Sequence, residues 1–569
     1  MTGTRRLAGA LALALLAACG GDGGNRGNGG NGGNGGGTGE TAKQGGDRDA
    51  QVPEAERRGG TLVVGAIGDV PDINPLTSTD YNANQWQQFV LFAPLVAYDE
   101  KFEPVPWLAK SWEVNADTTE LTFHLRDDVY WHDGPKTTAY DVKFSYDLAR
   151  DPDTGFPNLA FWTSYGDATV VDSFTFRVKM QPHADYMDPW RAFAPAPQHL
   201  LKGIPAAQLR NQPFSTRAPV GNGPFRFVSH AEGQSWTFAA NDRWPAGLGG
   251  RPYVDRLVYR VIPEPTTLLT ELLNGSIDYY IAPTSDQAQQ IEQNPNTRLV
   301  SFPDRQFLVI SWNGRRPLFA DVNVRRALTM AIDRQGIVDG VRRGYGSLAN
   351  STVPPFYWNY NPRAGADLKY DPEAAKRLLA QAGWRDSDGD GVVEKDGRPF
   401  RFTLFTNTGN RERVDITQIV QAQLKAVGVD ARPQVQEWGT LLNRLQREPR
   451  DYDAAVVGWV TEFRIDDRDL FSCANLRAKA PFQWAGYCSP ATDRYLDTLP
   501  NIADRAAAKP LWMEYQEKIA HDQPFTFLYY SRRLEGVHER MRNVHPDARG
   551  DWVGASRWFL DPRLRRPGR

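Results

Sequence analysis

The amino-acid sequence predicts an α/β protein built of more than one lobe. Segments with the apolar pattern of strands alternate with segments that have the periodicity of helices, and no tandem repeat interrupts this order. About 41% of the 569 residues are hydrophobic, so the chain can bury a sizeable core. Roughly 510 residues follow the N-terminal low-complexity segment, enough for about two to four domains.

The first half of the chain contains predicted strands and helices in alternation. The strands are short and rich in β-branched or aromatic residues. They comprise residues 59–65, 121–126, 169–171, 174–178 and 257–262. The helices comprise residues 85–96, 138–148 and 266–274, with Thr138 as a cap of the second and Gly275 as the stop of the third.

The second half repeats this alternation. Its predicted strands are 307–312, 400–406, 453–458 and 525–530. Its predicted helices are 322–333, 372–382, 415–427 and 506–522, and the second of these begins with Pro372 and ends before Gly383. The pattern is typical of an α/β protein.

The N-terminal 58 residues are predicted to export and tether the protein. Two arginines precede an apolar run that ends in Leu-Ala-Ala before Cys19, which is the layout of a secretory signal. This arrangement resembles the site at which bacterial lipoproteins are cleaved and acylated, so residues 1–18 are interpreted as a lipoprotein signal peptide and Cys19 as the lipidated residue. A plain signal peptide with an incidental Cys19 is the alternative. Residues 19–58, rich in Gly and Asn and then polar, are predicted to be a disordered tether.

These features place the folded part outside the cytoplasm, anchored by lipid to a bacterial membrane. No apolar run after residue 18 reaches the roughly 18 residues of a spanning helix. The net charge of −2 gives no whole-chain electrostatic case for nucleic acid as a partner. Whether the membrane is the inner or the outer one stays open.

Cys473 and Cys488 are predicted to form a disulfide, because two thiols that remain in an oxidising compartment usually pair. A metal site or a catalytic thiol would need histidine partners, and no histidine lies between residues 460 and 520. The 17 tryptophans are predicted to be mostly core, with a surplus that suits a large cleft.

Seven segments in order resemble family 5 of the extracytoplasmic solute-binding proteins of ABC importers, which contains the oligopeptide- and dipeptide-binding proteins. The most telling runs from Leu108 to Gly134 and includes LAKSW, LTFHLR and VYWHDG. The others are PVGNGPF at 219–225, LNGSID at 273–278, DVNVRRAL at 321–328, AIDR at 331–334, YDPEAAKRLL at 370–379, and GW at 458–459 with DLFSC at 469–473. The resemblance covers nearly the whole chain after the tether.

The resemblance implies a two-lobed periplasmic-binding-protein type II fold that closes on a ligand by hinge rotation. Placed on this chain, lobe one comprises 59–94, 189–302 and 536–569, an inserted subdomain comprises 95–188, and lobe two comprises 303–535. The hinge is expected near residues 303 and 536, where the chain crosses between the lobes.

The resemblance also implies residues that contact the ligand. Trp459 to Glu462 stand where peptide-binding relatives have a Trp and then an Asp that pairs with the ammonium group of the peptide, so Trp459 and Glu462 are candidates. Asp466 and Asp467 nearby are alternative carriers of that charge. Dipeptide binders place a carboxylate-clamping Arg where this chain has Asn407; Arg411 and Arg413 follow but do not occupy the matching position. A strict dipeptide specificity is therefore not expected.

Four further residues are weaker candidates. Trp438 matches a tryptophan that lines the ligand groove of oligopeptide-binding relatives, and an ordinary core position is the alternative. Asn313, Asn82 and Ala83 are candidates for pairing with the main chain of a bound peptide.

A metal site is considered at residues 386–396. Asp386, Asp388 and Asp390 alternate as in the first half of an EF-hand loop, but the twelfth position is Gly397 instead of the usual Glu. Turn chemistry alone explains the segment, and a hairpin is the favoured interpretation over calcium binding. No other cofactor is expected.

The predicted function is capture of peptide-like solutes and their delivery to the permease subunits of an ABC transporter by a monomeric, membrane-anchored protein. An oligosaccharide ligand and a signalling co-receptor that does not transport are the alternatives. A hydrolase is not expected, because no Gly-x-Ser-x-Gly or His-Glu-x-x-His motif occurs and no nucleophile has an evident base.

Overall fold

The computed structural model of this chain describes residues 52–157, 162–183, 186–191, 193–461, 465–502 and 504–565. The predicted signal peptide 1–18, Cys19 and the tether as far as residue 51 lie outside the described residues, and so does Glu462. In the described segments, no helix combines the length and the apolar character that a membrane span needs.

The chain up to residue 296 alternates short strands and helices. Its strands are β1 Thr61–Ala66, β2 Val96–Tyr98, β3 Pro104–Pro106, β4 Ala109–Val114, β5 Glu120–Leu125, β6 Tyr165–Asp172, β7 Thr175–Met180, β8 Phe225–Ala231, β9 Ser235–Ala240, β10 Arg256–Val261 and β11 Tyr279–Ile281. Its helices are α1 Tyr81–Phe89, α2 Ala139–Arg150, α3 Asp188–Arg191, α4 Gln198–Leu201, α5 Pro213–Thr216, α6 Pro265–Leu273 and α7 Ser285–Gln293.

The remainder begins and ends with long strands. Its strands are β12 Thr297–Trp312, β13 Gly346–Leu348, β14 Glu394–Lys395, β15 Arg398–Pro399, β16 Arg401–Asn407, β17 Asp430–Gln436, β18 Ala454–Val460, β19 Phe525–His538, β20 Met541–Arg542 and β21 Phe559–Leu560. Its helices are α8 Val322–Met330, α9 Arg334–Gly340, α10 Pro372–Gln381, α11 Arg411–Lys425, α12 Trp438–Gln446, α13 Arg468–Phe471, α14 Cys473–Arg477, α15 Pro490–Thr498 and α16 Arg505–Asp522.

One continuous sheet joins the two halves of the molecule. Its strand order is β17-β16-β18-β12-β19-β11-β1-β10-β9-β8, with β13 added beside β19. The neighbours β12 and β19 have 16 and 14 residues and pair antiparallel, from Thr297 opposite His538 to Ser311 opposite Phe525. The strands predicted at 307–312 and 525–530 are therefore only parts of two much longer strands that cross between the lobes.

The register of the two crossing strands is interrupted at two places, by a wide break and by a second shift between Leu308 and Val309. The pairing breaks between Pro303 and Phe307, and the residues opposite are Arg532 and Tyr530. A break of the ladder lets a strand bend and twist locally. The predicted crossing points, 303 and 536, both lie on these strands.

The buried apolar residues separate into distinct cores on the two sides of this crossing. The largest core contains β1, α1, β10 and the four-stranded antiparallel sheet β4-β5-β7-β6 of the inserted subdomain. Trp86 is at its centre, edge-on to Trp236, Phe238, Tyr259 and Trp552 at 4.9–6.0 Å between ring centroids. Two other cores lie on the two faces of β12, β16 and β18 in lobe two. Seven tryptophans are completely buried in the described chain, in agreement with a mainly structural role.

The inserted subdomain extends beyond its predicted end at residue 188. Trp190 is fully buried and its ring lies 5.1 Å from Phe123 and 5.7 Å from Tyr146, between ring centroids. The core of the insert therefore includes α3. Sequence reasoning placed the boundary too early because Trp190 follows a short segment without strand or helix periodicity.

Three predicted boundaries are wrong. The tether does not reach Arg58, because Val52 is 2% exposed and a one-turn 3-10 helix, Glu54–Glu56, packs on the body. The helix predicted at 85–96 begins at Tyr81, since Asp80 Oδ1 accepts a hydrogen bond from Ala83 N, and it ends at Phe89. The helix predicted at 322–333 ends at Met330, and Asp333 caps the separate helix α9.

The disulfide between Cys473 and Cys488 is confirmed. It closes a loop of 15 residues in sequence separation within lobe two. This loop carries Phe482 and Trp484, which pack against Trp459 at the edge of the main sheet.

Candidate functional site

Three strands of lobe two end next to the break in the crossing strands. The parallel pair β16 and β17 ends with Asn407 opposite Gln436, and β18 ends with Val460 opposite Gln306. Because β16 and β18 are also parallel, their carboxyl ends share one edge of the sheet. Asn407, Trp459 and the start of α12 at Trp438 lie at this edge, and we expect them to line one wall of the cleft between the lobes.

The opposite wall is formed by lobe-one residues around Arg533, which lies on β19 two residues before the predicted end of lobe two at residue 535. The guanidinium of Arg533 lies 4.4 Å above the ring of Tyr81, the first residue of α1. Arg533 Nη2 donates to Asp551 Oδ2 at 2.7 Å, and Glu535, two residues further along β19, is completely buried beside them. This cluster has no sequence motif, because its members come from α1, β19 and the C-terminal segment.

Arg533 faces two buried carboxyl groups, Glu535 and Asp551. Burial and the neighbouring Asp551 charge raise the pKa of Glu535 well above its ordinary value. Burial also raises the pKa of Asp551, against the opposing effect of Arg533. One positive charge next to two desolvated carboxyls favours one shared proton, and the pKa of Glu535 is raised more strongly because Asp551 makes the closer ion pair with Arg533.

Trp459 and Trp438 have different environments. Trp459 is half-buried, and its ring is edge-on to Phe482 at 5.2 Å and to Trp484 at 5.5 Å between ring centroids. Much of the Trp459 side chain therefore packs against other residues of lobe two. Trp438 is 40% exposed. The guanidinium of Arg413 lies 5.7 Å from the Trp438 ring centroid.

Asn407, at the position of the expected clamp, holds an arginine in place. Its Oδ1 accepts a hydrogen bond from Arg413 Nη1 at 2.9 Å, and its Nδ2 donates to the carbonyl of Thr408 at 2.8 Å. Asn407 is 9% exposed and both ends of its amide are used. Arg413 therefore carries the charge at this end of β16, and burial lowers the pKa of its guanidinium.

Asn82 and Ala83 lie next to Tyr81 in the first turn of α1. Ala83 is completely buried and its N–H donates to Asp80 Oδ1 at 2.8 Å, so this N–H is not available to a ligand and the prediction for Ala83 is wrong. The side-chain oxygen of Asn82 is buried and has no hydrogen-bond partner among the described residues. Asn82 remains a candidate for accepting a hydrogen bond from a ligand.

Asn313 does not belong to the cleft. It follows the far end of β12, where its N–H donates to the carbonyl of Asp453, whereas the cleft lies at the opposite end of β18. The residue is 1% exposed, and its Nδ2 donates to the carbonyl of Tyr452 at 2.8 Å. Its role is to join two strand ends, and the prediction of a ligand contact is wrong.

Asp466 and Asp467, the two alternatives to Glu462, both accept hydrogen bonds from other side chains of the protein. Asp466 accepts from Arg468 Nε at 2.8 Å. Asp467 is buried, and its Oδ2 accepts hydrogen bonds from Thr352 Oγ1 at 2.5 Å and Tyr515 OH at 2.6 Å. Burial raises the pKa of Asp467 to about 6, against the opposing effect of these two hydrogen bonds. Neither is a free carboxylate for a ligand ammonium.

The acidic segment after Trp384 is a tight turn on the surface. The side-chain oxygens of Asp386, Asp388, Asp390 and Glu394 lie within 4.8 Å of one another. Asp386 accepts from Gly389 N and Gly391 N, and Glu394 accepts from Ser387 N, at 2.7–3.1 Å. Backbone hydrogen bonds account for this arrangement as they do in Asx turns, and the hairpin interpretation of this segment stays a prediction.

Comparison with known proteins places these features in a wider group. A sequence profile described as "Bacterial extracellular solute-binding proteins, family 5 Middle" matches residues 103–475. The chain is 32% identical over 511 residues to the oligopeptide-binding protein AppA of Bacillus subtilis, which covers 89% of this chain and 92% of AppA. It is 25% identical over 520 residues to the dipeptide-binding protein of Escherichia coli, which covers 86% and 93% of the two chains. The solved structure of AppA from Bacillus subtilis in complex with a nonapeptide superimposes with a TM-score of 0.75, covering 89% of this chain and 99% of that one.

Proposed function

The chain belongs to family 5 of the bacterial extracellular solute-binding proteins, and from this premise we propose that it captures peptides in the cleft between its lobes and delivers them to the permease of an ABC transporter. In this proposal the protein works outside the cytoplasm as a monomer, held at the membrane by a lipid on Cys19. It returns the peptide unchanged.

One observation carries the proposal: both walls of the cleft contain a buried polar atom without a hydrogen-bond partner in the described chain. On lobe one it is Asn82 Oδ1, and on lobe two it is Arg413 Nε. Buried polar groups are normally paired, and each unpaired one costs about 1–3 kcal/mol. A peptide offers main-chain N–H groups to the first and carbonyl or carboxylate oxygens to the second, so its binding would satisfy both.

An oligosaccharide is the second candidate, and Trp438 favours it. A ring that is 40% exposed at a cleft edge offers a face on which a sugar can stack. Arg413 argues against it, because a neutral sugar would leave the guanidinium without a counter-charge.

Native mass spectrometry of the purified protein tests the proposal. Clefts that enclose their ligand often keep it through purification, so we expect the intact complex to release peptides on collisional activation. Release of hexose-based masses would replace peptide by oligosaccharide as the ligand. Incubation with a labelled peptide tests the absence of catalysis: a binding protein returns it intact, whereas a hydrolase returns fragments.

Deletion of the gene separates transport from signalling. Loss of peptide uptake is expected if the protein supplies a permease. Unchanged uptake together with a lost peptide response would favour a co-receptor that does not transport.

A further inference from the structure

The two ends of the described chain meet on one face of lobe one. Val52, the first described residue, shares a small core with Tyr253 and Phe559. Arg565, the last described residue, donates from Nη2 to the carbonyl of Glu56 at 2.8 Å. The predicted tether therefore joins the folded body at a fixed place, beside the segment that contains Arg565.

This face lies on the side of lobe one that is remote from the cleft. β1 is the first strand after the tether, and its start pairs with Arg256 at the start of β10. β1 also runs parallel to β11, whose last residue, Ile281, lies opposite Glu535 of β19, two residues from Arg533. The carboxyl ends of β1 and β11 therefore point toward the cleft wall at Arg533, and the six residues of β1 separate the face from that end by about 20 Å.

Three arginines of this face form no ion pair with a described residue. They are Arg58, Arg256 and Arg565, and together with Leu564 we call them the basic face. The side chains of Arg58 and Arg256 are exposed, and they form no hydrogen bond with a described residue either. The Arg565 guanidinium donates only to two main-chain carbonyls, which carry no formal charge. The charges of these arginines are therefore available to a partner.

Several acidic residues around the basic face are engaged by other arginines. The ion pairs, at 2.6–3.4 Å between nitrogen and oxygen, are Arg251 with Asp242 and with Asp255, and Arg557 with Glu54. Glu56 is exposed and forms no ion pair with a described residue. Positive charge still exceeds negative charge at the basic face, whereas the whole chain has a net charge of −2.

An exposed apolar side chain stands among the arginines. Leu564 lies between Arg563 and Arg565 and is 48% exposed, and Arg566 follows in the sequence. Arginine forms strong, often bidentate hydrogen bonds with phosphate. An apolar residue flanked by such cations suits the surface of an anionic membrane, where guanidinium groups bind lipid phosphates and the apolar side chain enters the interface. A soluble polyanion would offer Leu564 no apolar environment.

From these observations we propose that the basic face docks on the anionic lipid headgroups of the membrane that holds the protein. This inference rests on the proposed function, because the lipid on Cys19 brings the membrane within reach. The chain from Cys19 to Val52 covers roughly 33 residues and reaches at most about 110 Å, so the anchored body stays at a high local concentration near the headgroups. A weak electrostatic contact is then sufficient to hold the body there.

Docking on the basic face would set the orientation of the cleft. The cleft lies at the carboxyl ends of β1 and β11, so a protein that rests on the basic face presents its cleft to the surroundings and not to the membrane. This orientation favours capture of a peptide from outside. Delivery to a permease then requires the body to leave the lipid surface, which weak and screened contacts permit.

Vesicle binding by the full-length chain with Cys19→Ser measures this contact without the lipid. The probes are vesicles of phosphatidylcholine alone and vesicles that also contain phosphatidylglycerol, each at low and at high salt. Each arginine near an anionic surface strengthens binding about fivefold. We therefore expect sedimentation to show binding to the anionic vesicles at least about 10-fold tighter than to the neutral ones at low salt, and loss of this difference at high salt.

Triple variants locate the contact. The variant with Arg58→Gln, Arg256→Gln and Arg566→Gln is expected to bind the anionic vesicles about 10- to 100-fold more weakly than the parent chain. Arg→Lys at the same three positions keeps the charge and should retain most of the binding. The matched control removes three charges from lobe two, at exposed residues that form no ion pair with a described residue: Arg377→Gln, Arg398→Gln and Arg447→Gln. Equal urea unfolding midpoints confirm that all the variants fold.

The outcomes separate the inference from the function on which it rests. Equal binding of the parent chain to both kinds of vesicle, unchanged affinity of the variant with glutamines in the basic face, or an equal loss in the control overturns the docking surface. Tighter binding to soluble polyphosphate than to the anionic vesicles, at equal phosphate concentration, overturns the membrane as the partner.

Peptide retention by the same preparations, measured by native mass spectrometry, tests the proposed function separately. Retained peptide together with failed vesicle binding overturns the basic face and leaves peptide capture intact. Vesicle binding that follows the expected pattern without any retained peptide supports the basic face and counts against peptide capture.

Discussion

Phe102 of the inserted subdomain stacks on Tyr357 of lobe two, with ring centroids 5.6 Å apart and ring planes inclined by 6°. Phe102 lies in the turn between β2 and β3 with a φ of 62°, a conformation that non-glycine residues seldom adopt. The ring centroid of Phe356 lies 5.7 Å from that of Phe102. Arg505 of lobe two forms an ion pair with Glu103, the residue after Phe102. Contacts of this kind join the inserted subdomain to lobe two without involving the crossing strands, so we expect them to favour a closed arrangement of the lobes.

Replacement of Phe102 by Ala is expected to shift the protein toward an open form. An aromatic stack contributes about 0.5–1.5 kcal/mol beyond the burial of its surface, which is a change of about 2- to 10-fold in the ratio of closed to open molecules. Small-angle scattering of the ligand-free protein should show a larger radius of gyration for Phe102→Ala. Phe102→Tyr keeps the stack and is the control. Equal radii for all three proteins would contradict a role in closure.

The carboxyl pair beside Arg533 predicts opposite results for two conservative variants. Because the raised pKa of Glu535 favours its protonated form, Glu535→Gln is expected to replace one neutral group by another and to change the free energy of unfolding at pH 7 by less than about 1 kcal/mol. Asp551→Asn removes the carboxylate closest to Arg533 and is expected to cost about 3–5 kcal/mol, as in other broken buried ion pairs. Urea unfolding of both variants measures the difference. Similar losses in both would show that Glu535 is ionised.

Loss of the disulfide is expected to change both the stability of the protein and the packing around Trp459. In the chain-entropy model a loop of this length stabilises by about 3 kcal/mol, so the double variant Cys473→Ser with Cys488→Ser should unfold at lower urea concentration. The loop carries Phe482 and Trp484, which pack against Trp459. Loss of this packing should expose the Trp459 ring to solvent and shift its fluorescence emission accordingly. Reduction of the wild type should reproduce both changes. A variant with unchanged unfolding would contradict a stabilising role.

The sequence allowed the alternation of elements to be predicted, because strand patterns and capping residues such as Thr138 and Pro372 act locally. The capping box of Thr138 with Asp141 and the proline at the start of α10 are examples. The lengths of β12 and β19 were not predictable in the same way. Their lobe-one halves alternate weakly, and their pairing depends on residues more than 200 positions apart.

The candidate site was predictable only in part. Asn407 and Trp438 end or follow strands whose carboxyl ends meet at one edge of the sheet, and their contact with a ligand stays a prediction. Asn313 also follows a strand, but β12 runs antiparallel to β18, so its end lies on the opposite side of lobe two. No local pattern distinguishes these cases, because the direction of a strand in the sheet is a property of the topology. The position of the Arg413 side chain depends on Gly458, a residue 45 positions away that leaves room for the guanidinium.

Asp467 predicts a pH dependence of stability with a definite sign. Its pKa is raised from 3.8 to about 6 by burial, so the folded protein binds more protons than the unfolded chain between these values. The contribution of Asp467 to stability is therefore fully present below about pH 4 and is lost as the pH rises through about 6, a loss of up to about 3 kcal/mol. Asp467→Asn stays neutral throughout, and its amide oxygen can accept from Thr352 and Tyr515. We expect the variant to gain stability relative to the wild type as the pH rises from 4.5 to 7.5, measured by urea unfolding at both values. Asp388→Asn in the exposed acidic turn is the control. Parallel pH profiles for Asp467→Asn and the wild type would show that Asp467 is already ionised in the folded protein at pH 4.5.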